Sequence, residues 1–486
     1  MDIEKRARRQ SRRIIISEAL MVITVIITVS ILAFIVSGYW VNSDFKIERQ
    51  GLLQIYSTPT GADIKIDDET LSWTQRTNTS KTLSAGKHTI TLTKEGYDSW
   101  SRTINISEGL LYRLHYPRLF LQNRLEESVL STSANFATVT PDRNTMLLAN
   151  NTTSWQLVNL DSDQIKLATL DLSKTLPFTN HGNNDSVSLF TGVIDSAKWA
   201  SDNEHLLLKI RKDTQTNWVL LNIKNPSISI NLTQDYNADF SEIKILDQSA
   251  SNLLVILDNN LHRIDIPARQ ISAILVPDIS SFDFYHQRIV FAAKNPDFYT
   301  NSTNLANSSN DATNSSQNPY YIGSFRLGDN NIKKLKSTPT ANQVVITKFY
   351  DDEYIGIIDE KSIELHLEKN FELKNTFPLS FKPESTIVTN AGESITMYAG
   401  EHIATLDLEA MEIFDWNTGT DKIGWLDGSI IYAVKNNILN IYDFNGLNHR
   451  ILSNNVSSHF PATITSDKYL YYFRDGSLIR EYLFEK

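Results

Sequence analysis

NLLVILDNNLHRIDIPARQISAIL, residues Asn252–Leu275, runs from an apolar stretch through a polar turn to a second half-apolar stretch and a second turn. YIGIIDEKSIELHLEKNFELKNTF (Tyr354–Phe377) and IIYAVKNNILNIYDFNGLNHRIL (Ile430–Leu452) can be laid over it in the same order. ITMYAGEHIATLDLEAMEIF (Ile395–Phe414) and YLYYFRDGSLIREYLF (Tyr469–Phe484) repeat the plan. Short runs rich in β-branched and aromatic residues, bounded by Asn, Asp and Gly, read as strands joined by tight turns, so each unit is an antiparallel meander. The first turns of successive units fall near 152, 214, 258, 294, 359, 400, 436 and 475. Most of the gaps are about 36 to 44 residues, the repeat of a four-stranded propeller blade. The pattern predicts a mainly β chain in which residues 119–486 form a β-propeller of eight blades, with seven as the alternative count.

Two gaps are longer. SKTLPFTNHGNNDSVSLFTG from Ser173 extends one connection, and TNSTNLANSSNDATNSSQN from Thr300 extends another. Residues 300–318 offer almost nothing to bury, which predicts a disordered insertion. The last unit stops one strand short, and a ring that left it so would expose an edge. LFLQNRLEESVL, Leu119–Leu130, is the segment expected to supply the missing strand.

At the other end, Ala19 to Trp40 carries no charge for 22 residues. That is enough for a helix rising about 1.5 Å per residue to cross about 30 Å of hydrocarbon. Thr24, Thr28, Ser30 and Ser37 can return their hydroxyls to the helix backbone, and Tyr39 and Trp40 suit a membrane interface. Lys5, Arg6, Arg8, Arg9, Arg12 and Arg13 precede the stretch and give residues 1–18 a balance of +3, leaving −13 for the remainder of a chain with net charge −10. Basic flanks stay cytoplasmic, so the expectation is a tail at 1–18, a single transmembrane signal anchor at 19–40 and an extracytoplasmic body. The apolar run is too long for a cleaved signal peptide and ends in VSGYWV, a poor cleavage site. An acidic body argues against a nucleic-acid partner, because phosphate binding needs a basic face.

Between anchor and propeller, LLQIYSTPTGADIKID (Leu52–Asp67) and the runs to Tyr97 alternate as half-buried strands should: Ala62, Ile64 and Ile66 against Asp63, Lys65 and Asp67, then Ile90 and Leu92 against Thr89, Thr91 and Thr93. Pro59 and Gly61 place a tight reversal between two of them. The order L-x-I-x-S-x-P-x-G-A-x-I-x-I-D, then L-x-x-G-x-H-x-I and K-x-G-Y, resembles the PEGA domain of bacterial and archaeal envelope proteins. Pro59, Thr60, Gly61 and Ala62 stand at its signature, with Thr60 in place of Glu, and Asp67, Gly86, His88, Gly96 and Tyr97 complete the pattern. The resemblance covers 51–117 and implies a small β-sandwich that serves as a scaffold or a carbohydrate contact. Asp67, Asp68 and Glu69 form an acidic turn with too few ordered ligands for calcium. Trp73 and Trp100 would stack on sugar rings only if exposed.

Motifs for chemistry are missing from the sequence. There is no Cys, which excludes disulfides and thiol nucleophiles. The ten His form no H-E-x-x-H, and neither a G-x-S-x-G elbow nor a Gly-rich phosphate loop occurs. Carboxylates such as those from Asp161 and Asp351 fall in turns, where Asp serves the backbone. The expectation is a noncatalytic binding or scaffold protein of the cell envelope, without cofactor or metal, whose partner is a cell-wall or surface glycan or another envelope protein. The alternative is a propeller-borne hydrolase or lyase acting on a surface glycan or peptide.

Overall fold

The computed structural model describes residues 18–34, 39–41, 47–67, 69–72, 75–161, 163–179, 186–212, 214–294, 319–329, 331–389 and 392–483. These fall into two compact units, Met1–Asn123 and Arg124–Lys486. The basic residues Lys5 to Arg13 and the 300–318 insertion lie outside the described residues.

In the first unit residues 18–34 are helical. Thr24 Oγ1 donates to the Leu20 carbonyl and Thr28 Oγ1 to the Thr24 carbonyl, both at 2.8 Å, so these hydroxyls do return to the backbone. No helix among the described residues is long and apolar enough to cross a membrane. Tyr39 and Trp40, expected to end a helical span, instead belong to the strand Tyr39–Val41, which pairs antiparallel with Ile47–Arg49. The extended backbone there removes them from any continuous helix.

Two four-stranded sheets follow. One is built on Ile47–Ile55, flanked by Tyr39–Val41, Thr79–Ser84 and, in parallel, Leu111–Leu114. The other orders Glu69–Thr70, Asp63–Ile66, Gly86–Thr93 and Trp100–Ile106. Leu53, Ile55, Ile64, Ile90, Leu92 and Trp100 are fully or almost fully buried, as alternation predicts for sheets with one wet face.

The second unit contains, among its described residues, eight four-stranded antiparallel sheets in chain order. They are the blades of a β-propeller. The inner strands are Phe136–Val139, Val193–Trp199, Phe240–Ile245, Ile279–Tyr285, Gln343–Phe349, Ser385–Val388, Ile423–Trp425 and Thr463–Thr465. Burial identifies the place of each strand. Second strands such as Asn252–Leu257 and Tyr469–Arg474 are apolar on both faces because a neighbouring blade packs on each side. Outer strands such as Lys166–Asp171 and Leu373–Pro378 are largely exposed.

Turn chemistry sets the register. Asp258–Asn259, Asn436–Asn437 and Asp475–Gly476 all have positive φ and join strands paired Leu257↔Asn260, Lys435↔Ile438 and Arg474↔Ser477. Asn, Asp and Gly enter this left-handed region at least cost, and such two-residue turns match the twist of a hairpin.

Every junction between successive blades carries a contact. Trp199 Nε1 donates to Thr138 Oγ1 (3.0 Å), Trp218 Nε1 to the Phe240 carbonyl (2.8 Å), Lys244 Nζ to the Phe282 carbonyl (2.5 Å) and Ile346 N to Asp283 Oδ2 (3.0 Å). Thr386 Oγ1 donates to Gln343 Oε1 (2.9 Å), the rings of Trp416 and Tyr442 lie 4.9 Å apart, and Ile464 N donates to the Leu426 carbonyl (3.1 Å). Tyr471 OH donates to the Leu160 carbonyl (2.8 Å), which joins the last blade to the first.

The outer strand of the last blade is Glu126–Ser131, paired antiparallel with Ser477–Glu481. This is the C-terminal part of the segment expected from the sequence. Leu119–Leu121 does not take part: it is buried in the first unit, where Leu119 N donates to the Thr58 carbonyl at 2.8 Å and Leu121 bridges to Tyr97. The apolar end closes the small sandwich, and the charged end suits a solvent-facing outer strand.

Candidate functional site

The signature residues of the small domain hold backbone rather than chemistry. Ser57 Oγ donates to the Pro59 carbonyl at 2.6 Å, Thr77 Oγ1 stands 2.7 Å from it, and that threonine accepts from Ala62 N at 2.9 Å. Gly61 occupies a positive φ of 77°, and Lys94 Nζ donates to the Thr60 carbonyl at 3.0 Å. Asp67 Oδ1 accepts from Thr89 N at 2.8 Å, and its Oδ2 lies 2.9 Å from His88 Nδ1, whose Nε2 is 2.9 Å from the Ser84 carbonyl. The Thr89 amide first, and His88 second, hold the Asp67 carboxyl below the usual carboxylate range. Gly86 has φ 130° at the head of its strand, and Gln122 N donates to the Gly96 carbonyl beside the buried Tyr97. Trp100 is fully buried and offers no sugar platform. Asp68 and Trp73 lie outside the described residues.

Concavity is found instead where the inner strands of the propeller meet. A cavity of about 750 Å³ is walled by the inner strands of blades two to six, and one of about 380 Å³ by those of blades one, six, seven and eight. Together they form the central channel. The smaller cavity is lined mainly by Thr and apolar side chains. Burial pushes the Tyr432 phenol there up to about 12, so it stays neutral at ordinary pH.

The larger cavity is ionic. Lys244 Nζ lies 3.4 Å from Asp283 Oδ1 and 3.8 Å from Glu242 Oε1, and it sits 4.6 Å from the centre of the Phe282 ring. Asp283 also accepts from Ile346 N, and Ser281 Oγ accepts from Val344 N at 3.2 Å. Lys198 projects into the same space. Confinement by the channel walls, and then the Lys244 ammonium, hold the Lys198 ammonium below the usual lysine range even though water reaches it, while Glu242 and Asp283 pull the other way. None of these residues was singled out from sequence. They come from the inner strands of three successive blades, and only the ring brings them together.

Several turn carboxylates serve the backbone, although Asp161, named from the sequence, accepts from the Ser466 hydroxyl instead. Asp202, Asp359 and Asp427 each use Oδ1 to accept two backbone N–H groups two and three residues ahead. Among the described residues no group of three or more His, Asp or Glu is placed to hold a metal ion. Among the described residues no His lines either channel cavity.

Residues 50–118 match the PEGA domain family. The match spans the sandwich whose signature turn is described above. No curated protein matches the chain in a sequence search. Among solved structures, the C-terminal WD40 domain of Sif2 superposes with a TM-score of 0.46 at 10% identity, covering 75% of this chain and 99% of that one. The computationally designed Ika8 protein gives 0.42 at 8% identity, covering 74% and 100%. PorZ, an essential bacterial surface component of the type-IX secretion system of Porphyromonas gingivalis, gives 0.39 at 11% identity, covering 71% and 42%. The sheet order and the closing strand, rather than these likenesses, define the fold.

Proposed function

We propose that the chain is a membrane-anchored, extracytoplasmic, noncatalytic binding or scaffold protein of the cell envelope. The PEGA domain serves as spacer or wall contact, and the propeller is the interaction platform, with its binding site in the channel. The observation that carries the noncatalytic reading is the state of the two acids beside the channel lysines. Asp283 accepts from a backbone amide and sits beside Lys244, Glu242 stands by the same ammonium, and among the described residues no histidine is at hand to move a proton. General acid–base chemistry needs a group free to exchange protons with substrate. The anchor rests on the basic tail and the uncharged stretch, of which residues 35–38 lie outside the described residues.

The test is retention on the immobilised full-length chain in detergent. Envelope glycan or envelope protein should be held, recovered chemically unchanged, and lost when the channel is altered by K198E with K348E. Recovery of a cleaved glycan or peptide would establish the hydrolase or lyase reading instead.

A further inference from the structure

Three channel lysines occupy the same place in their blades. Lys198, Lys244 and Lys348 are each the penultimate residue of an inner strand: Val193–Trp199, Phe240–Ile245 and Gln343–Phe349. Blades are related by rotation about the channel axis, so the C-terminal ends of their inner strands gather at one mouth. All three residues line the cavity of about 750 Å³, a size within the range of small-molecule sites. The turn that follows Phe136–Val139 brings Arg143 to the adjoining cavity at the same end.

The three are not equally occupied. Lys244 is engaged by the Phe282 carbonyl, Asp283 and Glu242. Lys198 and Lys348 have neither hydrogen bond nor ion pair from their ammonium groups to any described residue. Of the carboxylates on this wall, Glu384 precedes the strand Ser385–Val388 and so stands at the opposite end of the channel. Among the residues that line the larger cavity, the lysine end therefore carries three ammonium groups against two carboxylates, in a chain of net charge −10. Confinement between the channel walls and then the neighbouring Lys244 ammonium outweigh Glu242 and Asp283, so the Lys198 ammonium is under-compensated, in line with its downward displacement. The rest of the wall mixes hydroxylated and aromatic residues with aliphatic ones such as Val345. Ser281 Oγ accepts from Val344 N, which leaves its O–H to donate, and Tyr285, the last residue of its inner strand, lines the same cavity at the lysine end.

We propose that the lysine-bearing mouth of the channel binds an acidic sugar, a hydroxylated ring that carries a carboxylate or a phosphate. Lys198 and Lys348 take the anion, and the wall hydroxyls with Tyr285 take the ring. The assignment rests on the channel being a binding site, and it adds the ligand class.

The test is calorimetric titration of the full-length chain in detergent with glucuronate, glucose 6-phosphate, glucose and inorganic phosphate. At least one acidic sugar should bind saturably, at least about tenfold tighter than either glucose or phosphate, with affinity falling as salt rises. Which acidic sugar binds separates a carboxylate site from a phosphate site. K198Q and K348Q should each weaken binding by about tenfold with an unchanged melting temperature, because neither side chain supports the fold. K382Q, which removes an exposed lysine paired with Glu360, should leave binding as it was. Failure of both acidic sugars, equal binding of glucose, or indifference to both channel variants would overturn the assignment. If sugar binding fails while channel-dependent retention of an envelope component persists, the platform reading stands and only the ligand class falls. A chemically altered sugar would overturn the noncatalytic reading.

Discussion

Short polar side chains do most of the local specification in this protein, and they do it by accepting backbone N–H groups. Asp67 is the sharpest case, because its carboxylate takes the Thr89 amide and lies against His88 in a turn where Asp67 itself has φ 54°. Its pKa is lower folded than unfolded, so its contribution to stability is present above the unfolded value and is lost as pH falls. Asp67→Ala should therefore lower the stability of the sandwich by about 1 kcal/mol at pH 7. The deficit should shrink as pH falls below the ordinary carboxylate range when melting curves of variant and parent are compared, leaving only the cost of holding Ala at positive φ. At Asn437, φ 61° makes a second residue-scale prediction. Asn437→Val places a β-branched side chain in the left-handed region and should cost about 1–2 kcal/mol in chemical denaturation, whereas Asn437→Gly should be close to neutral. Turn residues of this kind were legible in the sequence because their chemistry is local. The channel lysines were not, since nothing near Lys198 or Lys348 in the chain says that the two share a wall.

Strands and their pairings show why some elements could be read and one boundary could not. The meanders were legible because an apolar run, a two-residue polar turn and a second run specify a hairpin without outside help, as at Leu257–Asn260. The closing strand depends on a partner at the far end of the chain. Leu119–Leu121 and Val129–Leu130 look equally apolar in sequence, yet the first goes to the sandwich and the second to the propeller. Charge marks the true donor. Arg474 Nη2 lies 2.6 Å from Glu126 Oε2, Arg480 Nη2 lies 2.7 Å from Glu127 Oε2, and Arg124 Nε lies 2.5 Å from the buried Glu481. The hydrogen bond from Arg474 holds the Glu126 carboxyl below its usual range, so this pair too stabilises at neutral pH and is lost on acidification. Glu126→Gln should cost about 0.5–1 kcal/mol at pH 7, as expected for a half-exposed pair, with the difference shrinking as pH falls below the ordinary carboxylate range. Removing Glu126–Ser131 altogether should be far more damaging. It would uncover the edge of Ser477–Tyr482, and light scattering during a thermal melt should show early aggregation. If the shortened chain melts like its parent, the edge is protected by some other segment.

At the scale of the whole molecule, the chain combines a basic start, an uncharged stretch, a compact sandwich and a propeller closed by the strand that opens it. Closure has a mechanical consequence. The first strand of the second unit lies on its last, so tension carried in from the N-terminal side is met by the whole Glu126–Ser131 ladder and its ion pairs rather than by one exposed blade. Such an arrangement suits a platform held at one end, and it makes the anchor testable as a matter of geometry. Six basic residues before Ala19 should hold the N-terminus on the cytoplasmic side, because moving them across the bilayer is costly while the acidic body carries no such retention signal. Protease added to cells stripped of outer layers should then digest the propeller and spare a tag placed before Met1. Replacing Arg8, Arg9, Arg12 and Arg13 by Gln should weaken that preference and yield a fraction of chains in which the tag is cut. The full-length chain should also stay with membranes after alkaline carbonate washing, whereas one lacking residues 1–40 should be released. If the parent chain washes off, residues 19–40 do not span the bilayer and the proposed anchor falls.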